Sequence, residues 1–218
     1  GVGYFETITE LLKDYENSFE ELSNTLKEMA EYIFTKENLL VSFTGQVEGL
    51  NEVNKLLPEF VKDLYDTKPL ADPFVFKPNQ QNEGFKAPYD VNYVALVGNY
   101  KLDNLPYTGA LQVFQNIIAT DYLWTNVRVL GGAYGCMCGF TGTGISYFVS
   151  YRDPNLTKTL ETYKNVVKYL EDFKASEDEM TKYIIGAVGA YDYPKSPAVK
   201  GGRSFTAYLN KQTIDDFK

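Results

Sequence analysis

Histidine is missing from this 218-residue chain altogether, and that absence removes a great deal of chemistry. Without imidazole there is no serine nucleophile of the usual kind, so Ser146 and Ser150 are not candidates, and no histidine-ligated metal site. Cysteine is nearly as scarce. Cys136 and Cys138 stand at i and i+2, a loop too short for a good disulfide and too few thiols for structural zinc. They read as buried or half-buried small apolar residues, in keeping with a reducing compartment. No apolar run approaches the ~18 residues of a membrane-spanning helix, and the first residues lack the basic start and apolar centre of a signal peptide. Positive charge is in deficit as well. The net charge of −8 and the pI near 4.7 speak against nucleic acid and anionic membrane as partners and mildly favour cationic peptides. The glycine pairs at 142–144 and 201–202 carry neither Walker lysine spacing nor G-x-G-x-x-G, and read as turns.

What is present is an ordinary apolar content of 44% with 23% charged residues, and many aromatics, 18 Tyr and 14 Phe. That suits a soluble globular domain with a sizeable core. Apolar spacing predicts a short helix over 5–14. A second helix follows, with Ser18 and Glu21 as a capping box and Phe19, Leu22, Leu26, Met29 and Ile33 on one face, suited to packing on a sheet. Residues 39–44, LLVSFT, read as a strand. Helical period returns over 50–65, with Pro58 marking a kink or a late start. Residues 66–90, with four prolines and a polar patch at 79–82, read as a long internal connection.

Residues 90–100 predict a strand, and Pro106 opens a helix running to about Tyr122 with Leu111, Phe114, Ile117 and Ile118 inward. A strand over 144–153 follows a turn at 139–144. Asp153 is expected to cap a helix with Pro154 at its first position and Leu156, Leu160, Tyr163, Val167 and Leu170 on its buried face. Ser176 and Glu179 make a further capping box for a helix ending near Tyr191. The acidic run at 177–179 suits that helix's dipole better than calcium. Residues 200–210 read as helical. Strands separated by amphipathic helices give an α/β (α+β) class, a mixed sheet covered by helices on one face, and a single domain over 1–218.

The stretch Asp121–Pro154 holds the only Trp and both cysteines in a glycine-rich setting. Arg128 and Tyr134 stand out in it. On an unbulged strand their even spacing sends both side chains to one face, and Gly131, Gly132 and Gly135 leave room for another backbone. An arginine fork beside a phenol is suited to gripping a carbonyl oxygen. The same spacing is served by a bulged strand with a core Tyr and an Arg in an internal ion pair. Arg152 and Arg203 read as structural, Arg152 paired with Asp153 or another acidic neighbour.

The run RVLGGAYG, followed by SYRDPNL from Ser150, resembles the C-terminal half of presequence-protease-type zinc metallopeptidases of the pitrilysin/insulinase superfamily. GVGYF at Gly1, NLLVSFTG from Asn38, EGFKAPYDVNYVALVGN from Glu83 and KGGRSFTAYL from Lys200 occur in family order around it. The resemblance implies a pitrilysin/mitochondrial-processing-peptidase-like domain, truncated at both ends, that is non-catalytic. It implies that Arg128 and Tyr134 contact the backbone carbonyl of a bound peptide near the scissile bond. The family's zinc is held by an inverted H-x-x-E-H helix, which a chain without histidine cannot build. Zinc is therefore expected in the parent enzyme only, the partners being its N-terminal catalytic half and unstructured peptides. The expected location is the bacterial cytoplasm or an organellar matrix. An inactive scaffold subunit of the same superfamily and a free-standing peptide-binding module remain the alternatives.

Overall fold

The computed structural model describes residues 2–68 and 82–213. Where the sequence reading takes one domain, the chain packs as two compact units, Gly1–Gln81 with Lys195–Lys211, and Asn82–Pro194 with Gln212–Lys218. The division falls inside the expected 66–90 connection. Its flanks, 66–68 and 82–90, carry no helix or strand, and 69–81 lie outside the described residues.

The first unit is helical among its described residues: α1 (Val2–Lys13), α2 (Tyr15–Ile33), α3 (Val47–Lys62) and α8 (Pro197–Leu209). The α2 capping box is a correction. The helix starts at Tyr15, so Ser18 sits inside it and bonds back to the Asp14 carbonyl at 2.6 Å, the usual fate of a mid-helix serine. Pro58 lies within α3 without ending it. Among the described residues the expected strand at 39–44 has no ladder partner, and the bridge of Thr35 with Tyr65 lies outside it. β-propensity alone does not make a strand, because its N–H and C=O groups need a neighbour. The apolar stripe of α2 likewise has no sheet within its own unit among the described residues, and Phe19, Leu26, Met29 and Ile33 are exposed.

The second unit holds a three-stranded sheet, β1 (Asn92–Asn99), β2 (Gly135–Phe140) and β3 (Ile145–Asp153), in the order β1-β3-β2. The α+β class stands, but this sheet is antiparallel throughout and not mixed. The register places Val94, Leu96, Cys136, Cys138, Phe148 and Ser150 on one face. Against that face pack α4 (Ala110–Ile117), a π-helix (Ile118–Val129), α5 (Thr157–Lys164) and α6 (Val166–Asp172). Ile118, Leu123 and Val127 from the π-helix join Val94, Cys138, Tyr163 and Val166 in one core. The other sheet face, with Tyr93, Val97 and Met137, is exposed.

Three more expectations are corrected here. The helix after Pro106 starts only at Ala110 and continues through the π-helix to Val129, because Ile118, Leu123 and Val127 are buried on one side at a widened period. The helix after Asp153 breaks at Asn165, and this shift of phase buries Val166 while Val167 and Leu156 face out. Asp153 caps no helix; α5 begins three residues after Pro154. By contrast the Ser176–Glu179 box is complete on α7 (Glu177–Asp192).

Asp153 is fully buried and acts as a knot. Its carboxylate accepts from the Ser150 hydroxyl at 2.7 Å, the Thr159 hydroxyl at 2.8 Å and the Asn155 N–H at 2.8 Å. Asp153→Asn puts an amide donor among three donors and is expected to cost about 2–3 kcal/mol, read as a lowered urea midpoint at unchanged m. Both cysteines are free, Cys138 buried and Cys136 half-buried. Burial pushes the Cys138 thiol up to about 12 and raises Cys136 too, opposed in part by Arg128. A raised pKa keeps a thiol neutral at pH 8, where only the thiolate reacts. Iodoacetamide at pH 8 should therefore spare Cys138 in the native chain and label it in denaturant.

Candidate functional site

Arg128 and Tyr134 do come together, but by a different route from the expected strand. Arg128 sits in the last turn of the π-helix, and Tyr134 sits in the bend just before β2. Between them the chain reverses within a few residues. Gly132 adopts φ 80°, and the N–H groups of Gly132 and Ala133 donate back to the carbonyls of Arg128 at 3.0 Å and Val127 at 3.1 Å, closing the helix much as a Schellman motif does. Gly131 is needed for space: a Cβ there would meet the Asn126 carbonyl oxygen at 2.9 Å and that of Val127 more closely still. These glycines serve the turn. Gly135 does not admit a backbone either; the ring of its cross-strand partner Tyr151 lies over it.

The reversal brings the Arg128 guanidinium to 5.8 Å from the centre of the Tyr134 ring and to 4.5 Å from the ring of Trp124. Trp124 is four residues before Arg128, so the two are neighbours on one helical face. Tyr134 also lies 5.5 Å from the ring of Tyr151 and 5.5 Å from the guanidinium of Arg152. The result is a surface cluster in which two arginines lie over aromatic rings. Tyr134 is 59% exposed and Trp124 50%, and Arg128 is half-buried. Contacts of this kind stabilise by about 0.5–1 kcal/mol each at exposed sites, enough to bias rotamers and too little to hold the fold.

Neither arginine has an ion-pair partner among the described residues, where the ion pairs are Lys13–Glu10, Lys36–Asp66 and Lys55–Glu52. The expected pairing of Arg152 with an acidic neighbour is thus corrected, since Asp153 spends its oxygens on Ser150, Thr159 and Asn155. The alternative of a core Tyr beside an internally paired Arg fails with it. A guanidinium that keeps its donors free of carboxylates, next to an exposed phenol, can donate to an oxygen arriving from outside.

Trp124, Tyr151 and Arg152 do not read as site residues in the sequence, because the spacing sets Arg128 and Tyr134 on one strand and Arg152 reads as half of an ion pair. The i, i+4 pair of Trp124 and Arg128 is the signal that points to a helix there. Beside the cluster, Tyr93, Ala95, Val149 and Tyr151 line an open cleft of about 270 Å³ on the exposed sheet face. Zinc, implied for the parent, does not fit the residues present: no three of His, Cys, Asp and Glu converge among the described residues, and the Cys138 thiol is held neutral. No helix among the described residues is long and apolar enough to cross a membrane.

Comparison with known proteins places the chain in a family. Residues 82–218 match the family model of the PreP C-terminal domain. The chain is 38% identical over its full length to protein HypA of Clostridium perfringens, and 32% identical over 96% of its length to presequence protease 1, chloroplastic/mitochondrial, of Arabidopsis thaliana. The mitochondrial presequence protease of Saccharomyces cerevisiae is 30% identical over 95% of the chain. The chain spans about a fifth of the length of these relatives (22%, 20% and 22%). It belongs to the presequence protease family, with the family's C-terminal domain beginning at residue 82.

Proposed function

We propose that the chain is a non-catalytic part of a zinc-dependent oligopeptidase, forming part of the wall of a peptide-degradation chamber and gripping the substrate backbone with Arg128 and Tyr134. The observation that carries this reading is the exposed pairing of those two side chains, with the arginine free of any carboxylate among the described residues. Arg128 supplies a planar donor fork and Tyr134 a single phenolic donor, both suited to a carbonyl oxygen on which charge develops. The exposed apolar cleft next to Tyr134 supports the reading, since an unstructured peptide offers its side chains to such a face. The zinc and its ligands belong to another part of the parent polypeptide, the N-terminal catalytic half, which is also the proposed partner of this chain. Two relatives are named as chloroplastic or mitochondrial proteins, which favours an organelle for this chain, and a bacterial cytoplasm suits the same chemistry.

The test uses the full-length protein that carries the chain. Tyr134→Phe removes one hydroxyl while leaving the ring and its stacking, and is expected to lower peptide turnover more than about tenfold, as loss of one transition-state donor does. Thermal stability should hardly move. A fall in kcat marks a donor serving the transition state, and a rise in KM alone marks ground-state binding. Arg128→Lys is expected to act in the same direction, because a point charge cannot reproduce the fork. Wild-type kcat/KM in both variants would leave a scaffold role in place of the grip.

A further inference from the structure

The end of β3 departs from strict alternation in a way that concerns charge. Ser150 pairs with Val94 and Asp153 pairs with Asn92, so Tyr151 and Arg152 together stand opposite the single residue Tyr93. This is a β-bulge, and its second residue, Arg152, holds φ 47°. A left-handed backbone costs a residue with a Cβ about 1–2 kcal/mol. The benefit is visible in what faces where. Ser150 is buried on the core side, so regular alternation would send Arg152 to the core and Asp153 to the surface. The extra residue reverses them: Asp153 is fully buried and Arg152 is exposed. Re-aiming a side chain is a recognised use of bulges beside active sites.

Arg152 is thereby delivered to Tyr134. Its guanidinium lies 5.5 Å from the ring that Arg128 approaches at 5.8 Å, and the Tyr134 N–H donates to the Arg152 carbonyl at 3.3 Å, tying the two residues together across the strands. Two cations thus share one phenol ring in a chain of net charge −8, with no carboxylate paired to either among the described residues. Each guanidinium lies against that ring without such a counter-charge, and an arriving anion is attracted to both. A neutral carbonyl needs one fork only. The second guanidinium calls for a carboxylate.

We propose that Arg152 is a specificity-determining residue of this site, and that it selects peptides carrying an acidic side chain next to the carbonyl held by Arg128 and Tyr134. The overall acidity of the chain draws cationic peptides at long range, whereas this cluster reads one carboxylate at contact distance, where a charge-assisted hydrogen bond adds to the Coulomb attraction. The proposal rests on the gripping role given above to Arg128 and Tyr134.

The experiment compares fluorogenic peptides carrying one Glu at each of the two positions flanking the cleaved bond with their Gln twins, in the full-length protein. The Glu peptide is expected to be favoured about fivefold in kcat/KM at one of these positions, the worth of one partly exposed ion pair. Arg152→Gln should abolish that preference, bringing the ratio of kcat/KM for the two twins to about one, and Arg152→Lys should restore part of it. Equal kcat/KM for the twins in the unmodified protein, or a preference that survives Arg152→Gln, overturns the proposal. A loss shared equally by both twins in Arg152→Gln and Arg152→Lys also overturns it, as the mark of a merely structural residue. Failure of the underlying grip looks different: Tyr134→Phe and Arg128→Lys then leave turnover of both twins untouched. A protein that turns over neither twin overturns both readings.

Discussion

The second unit depends on where one carboxylate sits. Asp153 is buried at the end of β3 with two hydroxyls and a backbone N–H donating to it, and a buried carboxylate is tolerable only when its oxygens are satisfied in this way. Meeting that demand requires the bulge, since Ser150 and Asp153 cannot both face the core at a spacing of three without an extra residue. The bulge puts Arg152 outside, beside Tyr134. Thr159 on α5 and the segment after Pro154 are tied to the same carboxylate, so the entry to α5 and the outward arginine answer to one constraint.

The surface cluster follows from two chain reversals that meet. The π-helix closes at Gly131 and Gly132 and delivers Arg128 with Trp124 beside it. The bulged strand returns Tyr151 and Arg152 to the same place. Aromatic rings in place of carboxylates hold both guanidiniums. A carboxylate partner would occupy the donors, whereas a ring face orients the cation and leaves its N–H groups available. The cluster is thereby kept ready for an oxygen from outside, which is the property the proposed function needs.

The first unit obeys a different balance. Its helices are amphipathic, yet the stripe of Phe19, Leu26, Met29 and Ile33 stays exposed, and the segment 39–44 has strand-like residues without a ladder among the described residues. Helix formation is local and needs only a few turns of suitable sequence. A strand needs a second strand, and an apolar face needs a facing surface. The elements that form here are those whose bonds close within the segment.

Taken residue by residue, the sequence by itself settled whatever depends on near neighbours. The Ser176–Glu179 box, strands read over 90–100 and 144–153, a helix read over 200–210 and the α+β class are all carried by short-range pattern, the structure moving their ends by a few residues. The absence of histidine likewise excludes a histidine-built metal site without any structure. Spacing and resemblance both marked Arg128 and Tyr134, the spacing on a supposed common strand. Tertiary structure decided the rest. Burial of Ile118, Leu123 and Val127 against the sheet carried the helix expected to end near Tyr122 on to Val129, and the break at Asn165 chose Val166 over Val167 for the core. Only the pairing of β3 with β1 revealed the bulge. Register is a relation between distant segments, so no local pattern in SYRDP could say that its arginine turns outward and its aspartate turns in.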